Sequence, residues 1–253
     1  MAGKLAFLGN INSEKNREHV EVSLVFPVYN EAERIEWAVG RANEALTEIT
    51  HSYEVVIAED GSTDGTDKIA SSLSAKYSFI KHVHSDKRLG KGKAIKEATK
   101  RSKGEIIVCM DADLATNIKH LKELIQAINE GYDFAIGSRM LPESKAKRTI
   151  SRTITSRIYN FMVRFFFRTG IKDHQCGFKS FRRNALLQVL DDVRADHFFW
   201  DTEVLVRALR RGYRIKEIPV DWKEGKKTTV RLFKDSFTMG FQIFKFWLEL
   251  REH

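Results

Sequence analysis

Residues 106–116 read IIVCMDADLAT, an apolar run that stops at two aspartates with one residue between them. A short continuous apolar run rich in β-branched residues is typical of a strand buried on both faces. Asp111 and Asp113 therefore stand where a buried strand ends. Two carboxylates on one turn repel each other unless a cation lies between them. The stretch predicts a central strand followed by a site that attracts cations.

The same pattern occurs twice earlier in the chain. VEVSLVFPVYNE (20–31) and YEVVIAEDGSTDGT (53–66) each read as an apolar strand that ends in polar residues, and segments with helical spacing follow them. Strands that alternate with helices predict an α/β fold, with a Rossmann-like, mostly parallel sheet and helices on both faces. Ligands bind at the carboxyl ends of such strands, so we expect the YNE, EDGSTDG and DAD clusters to meet in one cleft.

The last hundred residues follow a different pattern. Segments 149–170 and 232–252 have the spacing of amphipathic helices, the first with an apolar stripe flanked by arginines. We predict a flexible tail over 1–20, a core domain over 21–230 that contains the 149–170 helix, and a C-terminal amphipathic helix over 231–253. The apolar faces of both helices suit a membrane surface, the protein core or a second subunit, so a homo-oligomer stays open.

Composition narrows the environment of the protein. The 253 residues carry a formal charge of +9, which favours an anionic partner, although a merely soluble basic surface would have the same charge. The two cysteines are far apart and indicate a reducing compartment. Neither a signal peptide nor a membrane-spanning run is expected, so any membrane contact would be peripheral. We find no motif that reads nucleic acid.

The aspartate pair has two interpretations from its residues alone. Hard carboxylate ligands with few partners suit Mg²⁺ or Mn²⁺, which usually also contact substrate phosphates. The alternative is a solvated turn, or an N-cap for the helix that starts near residue 118. In AEDGSTDGT, Asp60 follows an apolar strand and Gly61 permits a sharp turn, which suits a nucleotide or an ordinary Asp-Gly turn.

The ordered set FPVYNE, EDGSTDGT, LGKGKA and MDADLAT resembles the GT-A glycosyltransferases of family 2. The continuation IGSR, SRTITSRIYN, DHQCGFKSFRR, FFWDTEVL and GYRIKEIPVDW is similar to the polyprenyl-phosphate sugar synthases, and DHQCGFK is most similar to dolichyl-phosphate glucosyltransferases. The resemblance implies a GT-A fold and a metal-dependent, inverting transfer of a sugar from a nucleotide sugar to dolichyl or another polyprenyl phosphate. It also implies a peripheral location at the cytoplasmic face of a membrane.

The resemblance assigns roles in the donor site. Asp111 and Asp113 match the D-x-D that holds the donor's diphosphate through Mg²⁺ or Mn²⁺. The residues expected to contact the nucleotide are Pro27, Tyr29, Glu31, Asp60, Gly61, Gly92, Asp111 and Ala112. Arg231 matches a basic residue that closes over the donor.

Further roles concern catalysis, the acceptor and the sugar. Asp113, Arg139 and Arg152 are the expected catalytic residues, and Arg139, Arg152 and Ser156 are expected at the acceptor phosphate. The sugar site is expected at Trp200, Asp201 and Glu203.

The chain departs from the mannose synthases at Ala115, where they have a metal-assisting glutamine. This departure argues against mannose. The resemblance of DHQCGFK makes UDP-glucose the first choice of donor, followed by UDP-N-acetylglucosamine and GDP-mannose. Two other functions stay open at this point. A soluble enzyme of the same fold acting on a saccharide would need a general base, for which Asp201 or Glu203 is the candidate. A non-enzymatic basic protein is the other alternative.

Overall fold

The computed structural model describes residues 19–223 and 232–251, without the side chains of 232–239. Its strands are β1 Val22–Val28, β2 Tyr53–Asp60, β3 Ile80–Ser85, β4 Ile106–Cys109, β5 Phe134–Ser138, β6 Lys145–Lys147, β7 Lys179–Arg182, β8 Ile215–Pro219 and β9 Asp221–Lys223. Its α-helices are α1 Ile35–Thr47, α2 Thr66–Lys76, α3 Lys91–Arg101, α4 Leu121–Asn129, α5 Ile150–Phe167, α6 Arg183–Leu190, α7 Trp200–Arg210 and α8 Leu232–Glu249.

A seven-stranded sheet in the order β3-β2-β1-β4-β7-β5-β8 forms the centre of the described chain, and β6 pairs with β9 separately. β1 runs parallel to β2 and β4, and β5 runs parallel to β8, which confirms the predicted mostly parallel sheet. β7 lies between β4 and β5 and is antiparallel to both. Its sequence, KSFR, is too short and too polar to be recognised as a central strand.

Helices cover both faces of the sheet because each has one apolar side. On α1, Ile35, Val39 and Leu46 are fully buried against one sheet face, as their spacing predicts. The helix begins at Ile35 rather than near residue 31, because residues 32–34 form a turn at the cleft. The opposite face is covered by α3, α6 and α7. The sheet is thus buried on both sides, as its apolar strands require.

α5 and α8 pack together at one side of the molecule. A third apolar cluster joins them to α7 through Val163, Phe199, Val206, Ile243 and Phe246. Part of the apolar face of α5 and of α8 is therefore covered by the protein itself. Packing against the protein core was one of the three alternatives for these helices. None of the helices in the described part of the chain has the length and hydropathy needed to cross a bilayer. The predicted tail lies almost wholly outside the described residues, since only 19 and 20 of it are included.

Candidate active site

The polar ends of β1 and β2 are bonded directly to each other. The backbone N–H of Asn30 donates to Ser62 Oγ at 3.0 Å, and that of Glu31 donates to Thr66 Oγ1 at 2.9 Å. These bonds join the YNE and EDGSTDG segments into one wall of a cleft. The parallel register of β1 with β4 brings the DAD segment to the same edge. The predicted convergence of the three clusters is confirmed.

A row of alternating charges lies beneath the D-x-D turn. Lys91 Nζ is 3.0 Å from Asp111 Oδ1 and 3.6 Å from Asp201 Oδ2, and Lys179 Nζ is 2.6 Å from Asp201 Oδ1. Loss of water around the Lys91 ammonium disfavours its charge, but the two carboxylates outweigh this and raise its pKa. The pKa of Asp111 is lowered because Lys91 outweighs the desolvation of its carboxylate. Asp111 is therefore ionised and already neutralised.

Asp113 differs from Asp111 in its surroundings. Its Oδ1 accepts the backbone N–H of Ala115 at 3.0 Å, and burial, with a smaller effect from Asp111, raises its pKa. Burial likewise raises the pKa of Glu31, against the opposing effect of Arg34 and with added repulsion from Asp113. This concentration of carboxylates is a hard oxygen donor set that fits Mg²⁺ or Mn²⁺, and Asp111 and Asp113 are the residues that could hold the ion.

The segment DHQCGFK (173–179) holds the cleft together. A Cβ on Gly177 would overlap the Asp111 carboxylate, so a larger residue here would force that side chain to move. Gln175 Nε2 donates to Thr202 Oγ1 at 2.7 Å. Lys179 bonds Asp201, as above. One short motif thus connects the D-x-D turn with α7.

Arg139 follows β5 and is paired within this motif. Its Nε and Nη2 donate to the two carboxylate oxygens of Asp173 at 2.7 and 2.8 Å. The Arg139 charge also contributes to the lowered pKa of Asp111, so the guanidinium lies within electrostatic reach of the D-x-D turn. Asp173 fixes the position of Arg139 beside the cleft.

Arg148 was missed by the sequence reasoning. Its Nη1 donates to Ser156 Oγ at 3.2 Å and its Nη2 to the Arg139 carbonyl at 3.4 Å, so these two hydrogen bonds go to uncharged groups. Burial and the neighbouring Arg139 charge lower the pKa of Arg148. A cation disfavoured in this way is stabilised by an incoming anion. Arg152 lies one helical turn before Ser156 on α5, so the predicted acceptor residues are neighbours.

Other residues predicted to contact the nucleotide serve the cleft in different ways. Asp60 accepts the backbone N–H groups of Leu89 and Gly90 at 2.6 and 2.9 Å, so it holds the loop before α3. Tyr29 is half-buried directly after β1, and the Arg88 guanidinium lies 3.8 Å from the centroid of its ring. Gly61 has a φ of +69°, as its predicted turn requires.

Three further predicted nucleotide residues have less direct access to the cleft. A Cβ on Gly92 would lie 2.6 Å from Trp200 Cδ1, so this glycine is needed for the packing of α3 on α7 rather than for approach to a nucleotide. Ala112 is buried between the two aspartates, and Pro27 is half-buried within β1.

Two of the three predicted sugar-site residues are engaged within the protein. Trp200 is 1% exposed and packs against Phe181, so its ring is not available to stack on a sugar. Glu203 accepts the backbone N–H of Ala195 at 2.8 Å and Arg207 Nε at 2.7 Å, so its carboxylate is already used to hold a loop. Of these three residues, Asp201 is connected to the cleft, because Lys91 lies between its carboxylate and that of Asp111. Arg231 lies outside the described residues.

His174 makes the stability of this region dependent on pH. Its Nδ1–H donates to Asn160 Oδ1 at 2.8 Å, and its Nε2 lies 2.9 Å from the Thr169 hydroxyl, which can donate to a neutral ring. Burial lowers its pKa to about 3. Between pH 6.5 and about 3, the His174 ring takes up a proton in the unfolded chain but not in the folded chain. The free energy of unfolding therefore decreases as the pH falls, by up to about 1.4 kcal/mol per pH unit.

We expect His174→Gln to flatten the pH dependence of the free energy of unfolding across this range, measured by urea unfolding at intervals of pH. The exposed His51, changed to Gln, is the matched control and should leave the slope unchanged. A His174→Gln protein with the slope of the wild type would contradict the assignment.

The chain is similar to several known proteins. The model of the family described as glycosyl transferase family 2 matches residues 23–190. The glycosyltransferase AglD of Haloferax volcanii is 47% identical over 234 residues, which are 91% of this chain and 38% of that protein, so the chain spans well under half of that relative.

Dolichyl-phosphate beta-glucosyltransferases provide the next matches. The Saccharomyces cerevisiae protein is 31% identical, covering 92% of this chain and 76% of its own length, and the human protein is 33% identical, covering 87% and 72%. The solved glucosyl-3-phosphoglycerate synthase from Mycobacterium tuberculosis with UDP has a TM-score of 0.65 over 91% of this chain and 79% of that chain. At 17% identity it supports the shared fold alone.

Proposed function

Because the chain belongs to glycosyl transferase family 2, we propose that it transfers a sugar from a nucleotide sugar to dolichyl or another polyprenyl phosphate. Glucose from UDP-glucose is the first choice, since relatives at 31% and 33% identity are dolichyl-phosphate beta-glucosyltransferases. The observation that carries the proposal is the Arg139–Arg148–Ser156 group. It joins the cleft of the D-x-D turn to α5, whose outer face is apolar.

The donor would lie with its diphosphate at the D-x-D turn. Asp111 and Asp113 would hold Mg²⁺ or Mn²⁺, which stabilises the charge that develops on the leaving diphosphate. Mn²⁺ is present with UDP-glucose in a solved structure of the mycobacterial synthase, which has the same fold. Lys91 supplies a further positive charge beside the diphosphate, since it already contacts Asp111. The segment around Tyr29 and Asp60 would enclose the nucleoside.

The acceptor chemistry requires no general base. A phosphate monoester has a second pKa of about 6, so the lipid phosphate is mostly dianionic at neutral pH. Its oxygen forms the new bond to the anomeric carbon while the bond from that carbon to the diphosphate breaks, and the nucleoside diphosphate leaves. A single in-line displacement inverts the anomeric carbon, so an α-linked donor yields a β-linked product. The guanidinium groups of Arg139, Arg148 and Arg152 would attract and orient the phosphate through charge-assisted hydrogen bonds.

A saccharide acceptor is less well supported. It would need a base to deprotonate a hydroxyl, and both candidates are already engaged. Asp201 is bonded by Lys179 and near Lys91, and Glu203 holds the 194–195 loop. These ion pairs favour the acceptor that arrives already ionised.

The outer face of α5 would rest on the membrane that holds the lipid acceptor. Ile150 and Phe165 are 79% and 70% exposed, and Ile154, Ile158 and Phe161 complete the stripe. Ring contacts run from Phe165 through Phe166 to Phe244 of α8, where Phe241 and Leu248 are also exposed. Exposed Arg157 and Arg168 suit anionic headgroups. We place the protein peripherally at the cytoplasmic face, where the acceptor phosphate would reach Ser156.

We expect the double variant Ile154→Ser/Phe165→Ser to lose most of its binding to anionic vesicles, because each buried CH₂ contributes about 0.8 kcal/mol. Vesicle co-sedimentation measures the loss. Trp37→Ser is the control, since Trp37 is a large exposed side chain, 54% exposed, on α1. The wild type could instead fail to bind vesicles and form dimers that the double variant does not form. That result would show that the stripe binds a second copy of the chain.

The function is tested with a panel of labelled nucleotide sugars and polyprenyl phosphate, with and without EDTA. We expect label from UDP-glucose to enter the organic phase, and EDTA to abolish this. If only label from UDP-N-acetylglucosamine or only label from GDP-mannose enters the organic phase, that nucleotide sugar is the donor instead. Transfer that proceeds without any lipid phosphate would refute the acceptor and favour the soluble saccharide transferase.

A further inference from the structure

Two histidines and a glutamate lie together at the edge of the sheet, on β2 and β3. His82 and His84 are two residues apart on β3, so both rings project from the same face of the strand. Glu59 on β2 is the register partner of His84 and projects from that face too. The strand geometry therefore places two imidazoles and one carboxylate side by side, away from the pairing of Asp111 with Lys91.

The three side chains are close enough to share one ion. One ligand atom from each lies within 4.8 Å of the other two, and the imidazole centroids are 5.6 Å apart. Zn²⁺ binds nitrogen and oxygen ligands at about 2.0–2.2 Å, so binding would draw these atoms closer together. Side-chain rotation is sufficient for such a change, because His84 is 43% exposed at its side chain.

The hydrogen bonding of the cluster is incomplete. The Glu59 side chain is fully buried, and its carboxylate is contacted by the His84 ring and the Ser62 backbone N–H. Among the described residues, His82 Nε2 is a buried nitrogen with no hydrogen-bond partner. A buried carboxylate requires a positive partner, and an unpaired buried nitrogen is costly. A cation bound between them would meet both requirements.

A second carboxylate is in place to orient one of the ligands. His84 Nδ1 faces Glu59, and His84 Nε2 lies 3.2 Å from Asp86 Oδ1. When one ring nitrogen of a histidine binds a metal, the other usually donates its N–H to a carboxylate or carbonyl. Asp86 therefore occupies the place of an outer partner and is not needed as a direct ligand.

We propose that Glu59, His82 and His84 bind one zinc-class divalent cation. Two imidazole nitrogens and one carboxylate are a donor set that Zn²⁺ accepts, whereas Mg²⁺ prefers an all-oxygen environment such as the D-x-D turn. The second oxygen of Glu59 accepts the N–H of Ser62. The ion would thus fasten the edge strand to the start of the 61–65 turn.

Zinc binding by the untagged full-length chain, stripped of metal, tests the proposal. Isothermal titration with Zn²⁺ alone and the zinc content after dialysis should show a zinc site that survives in Asp111→Asn/Asp113→Asn. His82→Gln and His84→Gln should each weaken this site by at least about a hundredfold, more than the loss of an outer partner. Asp86→Asn should weaken it by about tenfold. His51→Gln, in an exposed residue, is the control and should bind as the wild type does.

Two further measurements separate a built site from an adsorbed ion. Co²⁺ bound in place of Zn²⁺ should show visible absorption bands that disappear in Glu59→Gln, a variant that keeps the shape of the side chain. Excess Mg²⁺ should not displace the bound zinc. Zinc binding that persists in both histidine variants, or that disappears in Asp111→Asn/Asp113→Asn, would overturn the proposal.

Discussion

Asp113→Asn should lower kcat/KM about a thousandfold, equivalent to about 4 kcal/mol of transition-state stabilisation. The amide keeps the size of the side chain and can still accept the Ala115 N–H through its oxygen. It removes the negative charge that the proposed Mg²⁺ or Mn²⁺ requires. Because Asp111 is already neutralised by Lys91, the site has little spare charge to replace the loss. Steady-state kinetics with varied divalent ion measure the effect.

Asp191→Asn is the matched control, because Asp191 is an exposed carboxylate at the end of α6. This substitution makes the same chemical change far from any proposed ligand, so activity should equal that of the wild type. The folded state of both proteins is compared by their urea midpoints. Full activity in a folded Asp113→Asn protein would remove Asp113 from the mechanism.

Arg148→Gln should raise the KM for polyprenyl phosphate about 10- to 100-fold and leave the KM for the nucleotide sugar nearly unchanged. Hydrogen bonds to a charged group contribute about 1.5–3 kcal/mol, which corresponds to this range. The pKa of Arg148 is lowered by burial and by Arg139, so an anionic acceptor relieves an unfavourable positive charge. Removing the charge removes that contribution to acceptor binding, while the donor site at the D-x-D turn keeps Asp111, Asp113 and Lys91.

Arg148→Lys separates charge from geometry. Lysine keeps a positive charge but lacks the planar fork that binds a phosphate bidentately, so it should recover part of the lost affinity. Arg183→Gln is a control for the loss of an arginine elsewhere. Arg183 donates to the Ser102 carbonyl near the end of β4 and β7 that lies away from the D-x-D turn. An equal rise in both KM values would instead indicate general damage to the cleft.

The part of the site that the sequence predicted is the part built by regular structure. Apolar runs that end in the YNE, EDGSTDG and DAD segments indicate strands, and parallel strands bring their carboxyl ends to one edge of the sheet. The mostly parallel sheet and the convergence of the three polar segments therefore followed from residue patterns alone. The polyprenyl-phosphate acceptor was different, because only a resemblance to known enzymes suggested it.

The ion pairs and residues that the sequence did not reveal depend on contacts between segments far apart in the chain. Lys91 pairs with Asp111 and Asp201, and neither partner is near it in sequence. Arg148 lies in a polar loop with no pattern of its own, and β7 is too short to show a period. The position of Glu203 in a motif does not reveal that its carboxylate binds the 194–195 loop.

The ammonium of Lys91 already neutralises the Asp111 carboxylate before any substrate arrives. A divalent ion that entered alone would add positive charge to a carboxylate that is already paired. A nucleotide diphosphate that entered alone would meet Asp113 and Glu31. Arriving together, the two ligands cancel each other's charge, and Lys91 can turn from Asp111 to the diphosphate. Their binding should therefore be cooperative and reciprocal, each raising the affinity for the other by the same factor.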